Sequence, residues 1–155
     1  MKSEALLKPL ILTFLAALAL YVLAYNAIEH RRTRNGPWQV EFTRNSNGAP
    51  ALLISQPALA ISNVQIVFPD ERCPAEFPTA TILFCNPQPV PCPVPFGNCL
   101  FMDTTFLPGT IVLSLFGHEI QLIPRVLTID HREQPWVPNS TLLLNSTNLS
   151  PAPHP

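Results

Sequence analysis

Residues 9–28 read PLILTFLAALALYVLAYNAI and contain no charged side chain, although Lys8 and Glu29 stand directly on either side. At about 1.5 Å of rise per residue, about 20 helical residues cover the roughly 30 Å hydrocarbon core of a bilayer. We therefore expect one membrane-spanning helix over residues 9–28, followed by a structure of a different kind.

Composition divides the rest of the 155-residue chain into four parts. Residues 1–8 are a short tail, 29–36 a basic juxtamembrane linker, 37–144 one extramembrane domain, and 145–155 a polar, proline-rich tail without periodicity that should be disordered alone. Charged residues make up 12% of the chain and the formal net charge is −1. No broad basic surface is available for nucleic acid, so nucleic acid is not an expected partner.

The domain after the apolar run has the signature of β structure. The chain holds 19 prolines against 5 glycines, which opposes long helices. Trp38, Val40 and Phe42 alternate with polar residues, as in a half-buried strand. Further short runs of this kind, separated by turn residues, predict roughly eight short antiparallel strands. The predicted fold is therefore one transmembrane helix followed by an all-β domain, a sandwich or partly open barrel.

A hairpin is expected where Gly117 and His118 interrupt two alternating runs. With glycine first in a two-residue turn, Leu115 would face Ile120, and Leu113 would face Leu122. Apolar residues would then meet apolar residues across the two strands, and a slip by one residue would destroy that match.

Four cysteines lie in one proline-rich region, and residues 85–99 read CNPQPVPCPVPFGNC. Its five prolines predict an extended loop rather than a central strand. Such a loop is either a recognition surface or a cover for a sheet edge. The spacing lacks a CxxC knuckle, so we expect no metal and predict two disulfides; the alternative is four reduced thiols. Three connectivities are possible, and the shortest loops arise from the pairs Cys92–Cys99 and Cys73–Cys85.

The side of the membrane follows from the cysteines rather than from charge. Basic residues balance around the helix: Lys2 and Lys8 precede it, whereas Arg31, Arg32 and Arg34 follow it. Disulfides form in oxidising compartments, which places the C-terminal domain on the periplasmic or extracytoplasmic side. A cleaved signal peptide ending near Ala24 is the alternative to a retained anchor, but the apolar run exceeds the usual length of a signal core.

No catalytic or cofactor-binding pattern is visible, so we expect no enzyme activity and no cofactor. The chain lacks GxSxG, HExxH, P-loop and dinucleotide fingerprints. Residues 130–133, Asp-His-Arg-Glu, form the densest titratable cluster, which we interpret as a charged loop between strands rather than an acid–base site. The histidines lack the spacing of paired ligands and are expected to be solvated; they are His30, His118, His131 and His154.

Two groups of residues are candidates for contact with other chains. Small residues fall near one face of the helix and could let another helix approach, although alanine is common in any spanning helix; they are Thr13, Ala17, Ala24 and Ala27. The aromatic candidates for partner contact are Trp38, Phe96 and Trp136. Three Asn-x-Ser/Thr patterns, starting at residues 139, 145 and 148, matter only in a glycosylating secretory system.

Two functional hypotheses follow. In the first, the chain is a non-catalytic accessory subunit that lies in the bilayer and stabilises a larger membrane protein complex, for which a photosynthetic or respiratory complex is a natural host. In the second, it is a free-standing single-pass protein whose β domain binds a peptide, a small ligand or an envelope component, which requires a concave pocket with convergent polar groups.

Overall fold

The computed structural model describes residues 3–73 and 77–146, with residues 3–6 and 33 described by their backbone only. The predictions for the tail beyond residue 146, for Lys2 and for His154 lie outside this range. The chain divides into two compact units, Met1–Arg34 and Asn35–Pro155. The first is a helix, and the second is the β domain.

The helix α1 spans Ser3–Thr33 and therefore exceeds the apolar run at both ends. Within it, Leu7–Arg32 is long and apolar enough to cross a membrane, with none of its most apolar window buried. Helices of this kind occur as membrane anchors and as signal sequences. The predicted linker over residues 29–36 is helical up to Thr33, where Arg32 and Glu29 pair at 2.8 Å between guanidinium and carboxylate.

Eleven strands follow the helix in the described part of the chain, rather than the roughly eight predicted. Two of them, at residues 92–94 and 132–134, were not expected. The strands are β1 (Trp38–Arg44), β2 (Pro50–Gln56), β3 (Ile61–Val67), β4 (Ala80–Phe84), β5 (Cys92–Val94), β6 (Gly97–Asp103), β7 (Thr110–Leu115), β8 (His118–Ile123), β9 (Val126–Ile129), β10 (Arg132–Gln134) and β11 (Thr141–Leu143).

These strands form two open sheets. One has the order β11-β3-β2-β1-β4, and the other has the order β10-β9-β8-β7-β6-β5. Pairing is antiparallel except between β11 and β3, which run parallel with Leu142 opposite Ile66. The strands are therefore mostly antiparallel, as predicted, with one parallel pair where the chain returns to the first sheet after β10.

One core joins the two sheets, as in a sandwich. Alternate residues of β1 are buried, and Phe42 lies opposite Leu52 of β2. The second sheet contributes Leu113 and Ile120, which face each other across β7 and β8. Fully buried large side chains come from both sheets; they include Trp38, Phe42, Ile54, Ile66, Phe68, Ile111, Leu115 and Leu122. The period-two patterns thus predicted the correct faces.

The β7–β8 hairpin exists, but its turn is one residue earlier than predicted. Leu115 pairs with His118, and Leu113 pairs with Ile120. The turn residues are Phe116 and Gly117, with φ of 52° and 84°. Two positive φ values are typical of a type I′ turn, which is one of the two turn types whose twist matches that of a hairpin. The correction moves each partner by two residues, so Leu113 still faces an apolar residue, whereas Leu115 now faces His118.

The proline-rich segment is partly a strand pair rather than one extended loop. β5 and the start of β6 form a tight hairpin, with Val94 opposite Gly97. Phe96 has φ of 71°, which fits the second central position of a type II turn that follows proline. Because β5 is the outermost strand of its sheet, Pro93 can be tolerated without breaking a central ladder.

Candidate functional site

A buried polar contact in the β domain joins His118 to Asp130. Nδ1 of His118 lies 2.7 Å from Oδ2 of Asp130, and His118 is only 2% exposed. The second carboxylate oxygen of Asp130 accepts a hydrogen bond from the backbone N–H of Glu119 at 2.9 Å. The prediction that His118 is a solvated turn residue is therefore wrong, because its side chain points to the core side of β8.

Asp130 owes its position to a tight turn between β9 and β10. Asp130 and His131 have φ of 49° and 62° and form the turn, after which Arg132 pairs with Ile129. Residues 130–133, predicted to be a charged loop between strands, form the charged turn and the start of β10, which was not predicted. His131 is exposed, with its Nδ1 at 4.0 Å from Oε1 of Glu119.

A carboxylate that orients a histidine also occurs in acid–base sites. Here the contact between Asp130 and His118 is explained by its role in the fold. Within residues 3–73 and 77–146, the side chain of His118 has no hydrogen-bond partner other than Asp130. The ring of Phe68 lies against it at 6.0 Å between centroids. A buried histidine needs a polar partner, and Asp130 supplies it while fixing the β9–β10 turn to β8. Among the described residues, no group of three His, Cys, Asp or Glu side chains could hold a metal ion.

The four cysteines are present as free thiols, and the structure places two of them side by side. Cys92 of β5 lies directly opposite Cys99 of β6. Cys99 is fully buried, and this burial raises the pKa of its thiol to about 11, with a further upward contribution from the charge and hydrogen bond of Cys92. Cys73 and Cys85 lie outside the strands, half-buried and exposed. The predicted disulfides remain a prediction.

The three aromatic candidates for partner contact are used inside the domain. Trp38 is fully buried, and its Nε1 donates to the carbonyl of Gly109 at 3.0 Å, so it is not a surface contact. Trp136 is half-buried, donates to the carbonyl of Ile123 at 2.8 Å and packs on Trp38. Phe96, also half-buried, contacts other rings; these are Phe42, Phe77 and Phe116.

The helix presents the predicted small residues on its exposed surface. Ala17, Ala24 and Ala27 are exposed, as is Thr13. The Thr13 hydroxyl donates back to the carbonyls of Pro9 and Leu10, at 2.8 and 2.9 Å. Since this hydroxyl is already satisfied, Thr13 offers a neighbouring helix a small contact surface rather than a hydrogen bond.

A different set of apolar side chains is exposed on the β domain. Leu83 of β4, Leu100 and Phe101 of β6, and Val90 and Phe106 of the neighbouring loops are each at least 42% exposed. We call these five residues the 83–106 apolar group. The sequence analysis did not predict their exposure, because its contact candidates were the tryptophans, Phe96 and the proline-rich segment. The signal was present at β6, where Leu100 and Phe101 are consecutive and cannot both face the core of a regular strand. The register shift at this point accommodates them.

A polar cleft of about 360 Å³ lies beside the β1–β2 turn. Its lining includes Glu71 and Arg72, which carry opposite charges; the other lining residues are Asn47, Gly48, Ala49, Pro69 and Cys73. The turn itself is fixed by Asn45, whose side-chain oxygen accepts hydrogen bonds from the backbone N–H groups of Asn47 and Ala49. One wall of the cleft is therefore rigid.

Comparison of the chain with known protein families, curated proteins and solved structures finds no match.

Proposed function

We propose that this chain is a membrane-anchored, non-catalytic accessory protein whose β domain binds another subunit of a larger membrane assembly. The observation that carries the proposal is the 83–106 apolar group, in which Phe101 and Phe106 are 49% and 58% exposed although the domain has a complete core elsewhere. Large aromatic side chains that are left in solvent are typical of surfaces that become buried on binding.

The helix supports the same proposal. Its described side chains are exposed almost throughout, and its most apolar window has no cover within the chain. Such a surface requires lipid or other apolar helices around it. No described residue supports the expected photosynthetic or respiratory host, so we do not propose one.

The test is affinity purification of the full chain in a mild detergent, followed by native sizing and identification of co-purifying proteins. The variant Phe101→Ser/Phe106→Ser removes two members of the 83–106 apolar group. Leu143→Ser is the matched control, because Leu143 is 61% exposed on β11 and lies outside the group. We expect a stoichiometric partner with the wild type and with Leu143→Ser, and its loss with the double variant. Recovery of the wild type as a lone monomer would refute the proposal.

A second candidate function rests on the polar cleft. Glu71 and Arg72 line the same cleft and carry opposite charges, as in sites that orient a small polar ligand, so the domain could act as a free-standing binding module. Thermal unfolding of the full chain with a panel of charged short peptides tests this. Ligand-dependent stabilisation should be lost in Arg72→Ala and kept in Arg125→Ala, since Arg125 is exposed outside the cleft. No stabilisation by any peptide, or equal loss in both variants, contradicts it.

A further inference from the structure

We infer that Cys92 and Cys99 are a built site for thiol oxidation and form a disulfide between β5 and β6, whereas Cys73 and Cys85 do not take part. This inference is independent of the proposed function. Of the pairings that the four cysteines allow, strand register, burial and the position of Pro93 favour this one.

The register places the two cysteines at a separation that suits a disulfide. Pro93 has no N–H, so the Pro93–Asn98 pair is the kind that exchanges no backbone hydrogen bonds. Because such pairs alternate with hydrogen-bonded ones, Cys92 and Cys99 form a hydrogen-bonded pair, whose Cα atoms are about 5.5 Å apart. That separation is within the preferred range for disulfides, about 5.5 to 6 Å. The thiol of Cys99 also already interacts with that of Cys92.

Burial assigns different roles to the two thiols. Cys92 is partly exposed, whereas Cys99 is fully buried and hydrogen-bonds through Sγ to the carbonyl of Phe101 at 3.4 Å. An oxidant in solution therefore reaches Cys92 first. The raised pKa of Cys99 keeps that residue as a thiol and makes it the slower nucleophile.

The oxidant is a low-molecular-weight or protein disulfide, and the exchange proceeds in two steps. The Cys92 thiolate attacks one sulfur of the oxidant, which forms a mixed disulfide and releases one thiol. Sγ of Cys99 then loses its proton to solvent and attacks Sγ of Cys92, which releases the second thiol. One S–S bond is formed and one is broken; the cysteine pair loses two electrons and two protons, and the oxidant becomes two thiols.

The bond would fix a turn that lies in the aromatic part of the core. Between the two cysteines, the chain turns at Pro95 and Phe96, and the Phe96 ring packs at 4.7 Å from that of Phe77 and at 5.5 Å from that of Phe116. Both of these residues lie outside the hairpin. A disulfide across β5 and β6 therefore holds the Phe96 contact in place from the base of the turn.

The test uses the full chain in detergent, equilibrated with glutathione disulfide, quenched with acid and then labelled in denaturant with N-ethylmaleimide. Chymotrypsin cleaves after Phe84 and Phe96, which separates Cys73 and Cys99 from the peptide 85–96; fragmentation of that peptide shows whether Cys85 or Cys92 carries the maleimide. We expect linked peptides that contain Cys92 and Cys99, and maleimide on the two other cysteines. Labelling of Cys92 and Cys99 in the wild type, or a bridge to any other cysteine, overturns the inference.

Two variants keep the inference falsifiable whatever happens to folding. Cys73→Ser/Cys85→Ser should retain the linked peptides, since neither residue takes part. Cys92→Ser leaves the buried Cys99 unchanged and should show maleimide on the three remaining cysteines. If Cys92→Ser instead yields a bridge from Cys99 to Cys85 or Cys73, the pairing is not selective and the inference is wrong.

Discussion

Replacement of Asp130 by alanine should be among the most destabilising single changes in the β domain. The carboxylate is the hydrogen-bond partner of the buried His118, and loss of a partner for a buried polar group costs about 1–3 kcal/mol. Loss of the bond from Glu119 N–H adds about 1 kcal/mol. Alanine at φ of 49° adds about 1 kcal/mol more. The expected decrease in the free energy of unfolding is about 3–5 kcal/mol.

Asp130→Asn is the matched control. Asparagine tolerates the left-handed conformation, its oxygen can accept from Glu119 N–H, and its amide can donate to the ring of His118. The expected cost is about 1 kcal/mol, as for the exchange of a charged for a neutral hydrogen bond.

The measurement is urea unfolding of the full chain in a non-ionic detergent with reductant, followed by tryptophan fluorescence. The chain has 2 tryptophans, Trp38 and Trp136, and both belong to the β domain, so the signal reports that domain alone. With a slope of about 2 kcal/mol per M, the alanine variant should shift the midpoint by about 2 M and the asparagine variant by about 0.5 M. An alanine variant within about 0.5 kcal/mol of the wild type would refute the reasoning.

Three further changes have defined outcomes. Gly97→Ala should lower the free energy of unfolding by more than about 2 kcal/mol, because its Cβ would lie 2.0 Å from the backbone oxygen of Ser114. Gly48→Ala meets only open space and should cost about 1 kcal/mol for its positive φ. Urea unfolding compares the two variants, and equal costs would contradict the contact at Gly97. Trp38→Phe should cost about 2 kcal/mol through the lost bond to Gly109 and a small cavity, measured from Trp136 fluorescence; an unchanged midpoint would contradict it. In the reduced chain, Cys99 should react with iodoacetamide at pH 8 about 100-fold more slowly than an ordinary thiol. The reason is that a pKa raised from 9.0 to about 11 leaves about 100-fold less thiolate. An equal rate would contradict the burial of Cys99.

The same pKa makes the stability of the reduced chain depend on pH in one direction. The Cys99 thiol has a higher pKa in the folded state, so folding favours its protonated form. This contribution is fully present below pH 9.0, the unfolded value, and is lost as the pH rises towards about 11. Urea midpoints of the reduced wild type should therefore fall over this interval more steeply than those of Cys99→Ala, and parallel profiles would contradict the assignment.

The sequence predicted well which segments are strands and which face of each strand is buried, because both depend on local periodicity. Trp38, Val40 and Phe42 are buried as their alternation indicated, and the apolar residues of β7 and β8 meet across the hairpin. The turn position was missed because a phenylalanine, Phe116, adopts positive φ, which no propensity rule favours.

The site was harder to predict, because its contacts depend on pairings between distant residues. The bond from His118 to Asp130 requires the register of β8 with β9 and the tight turn after it, neither of which is visible in composition. Cys92 and Cys99 are the exception, since they belong to one short hairpin and lie opposite each other in its register, although their disulfide remains a prediction. Burial of Trp38 by contrast needed the loop at Gly109, 71 residues away.

The lengths of the outer strands bear on how the domain behaves at high concentration. In the described part of the chain each open sheet has two ends, and three of these four ends are strands of only three residues: β5, β10 and β11. Short edges, one of them containing Pro93, give an incoming strand few backbone groups to pair with, so growth of ordered aggregates by strand addition is hindered there. Among the described strands, β4, with five residues, is the longest edge. Any fibrous or runaway assembly of this protein should therefore start at β4, and a proline or lysine placed on that strand would be the most direct way to prevent it.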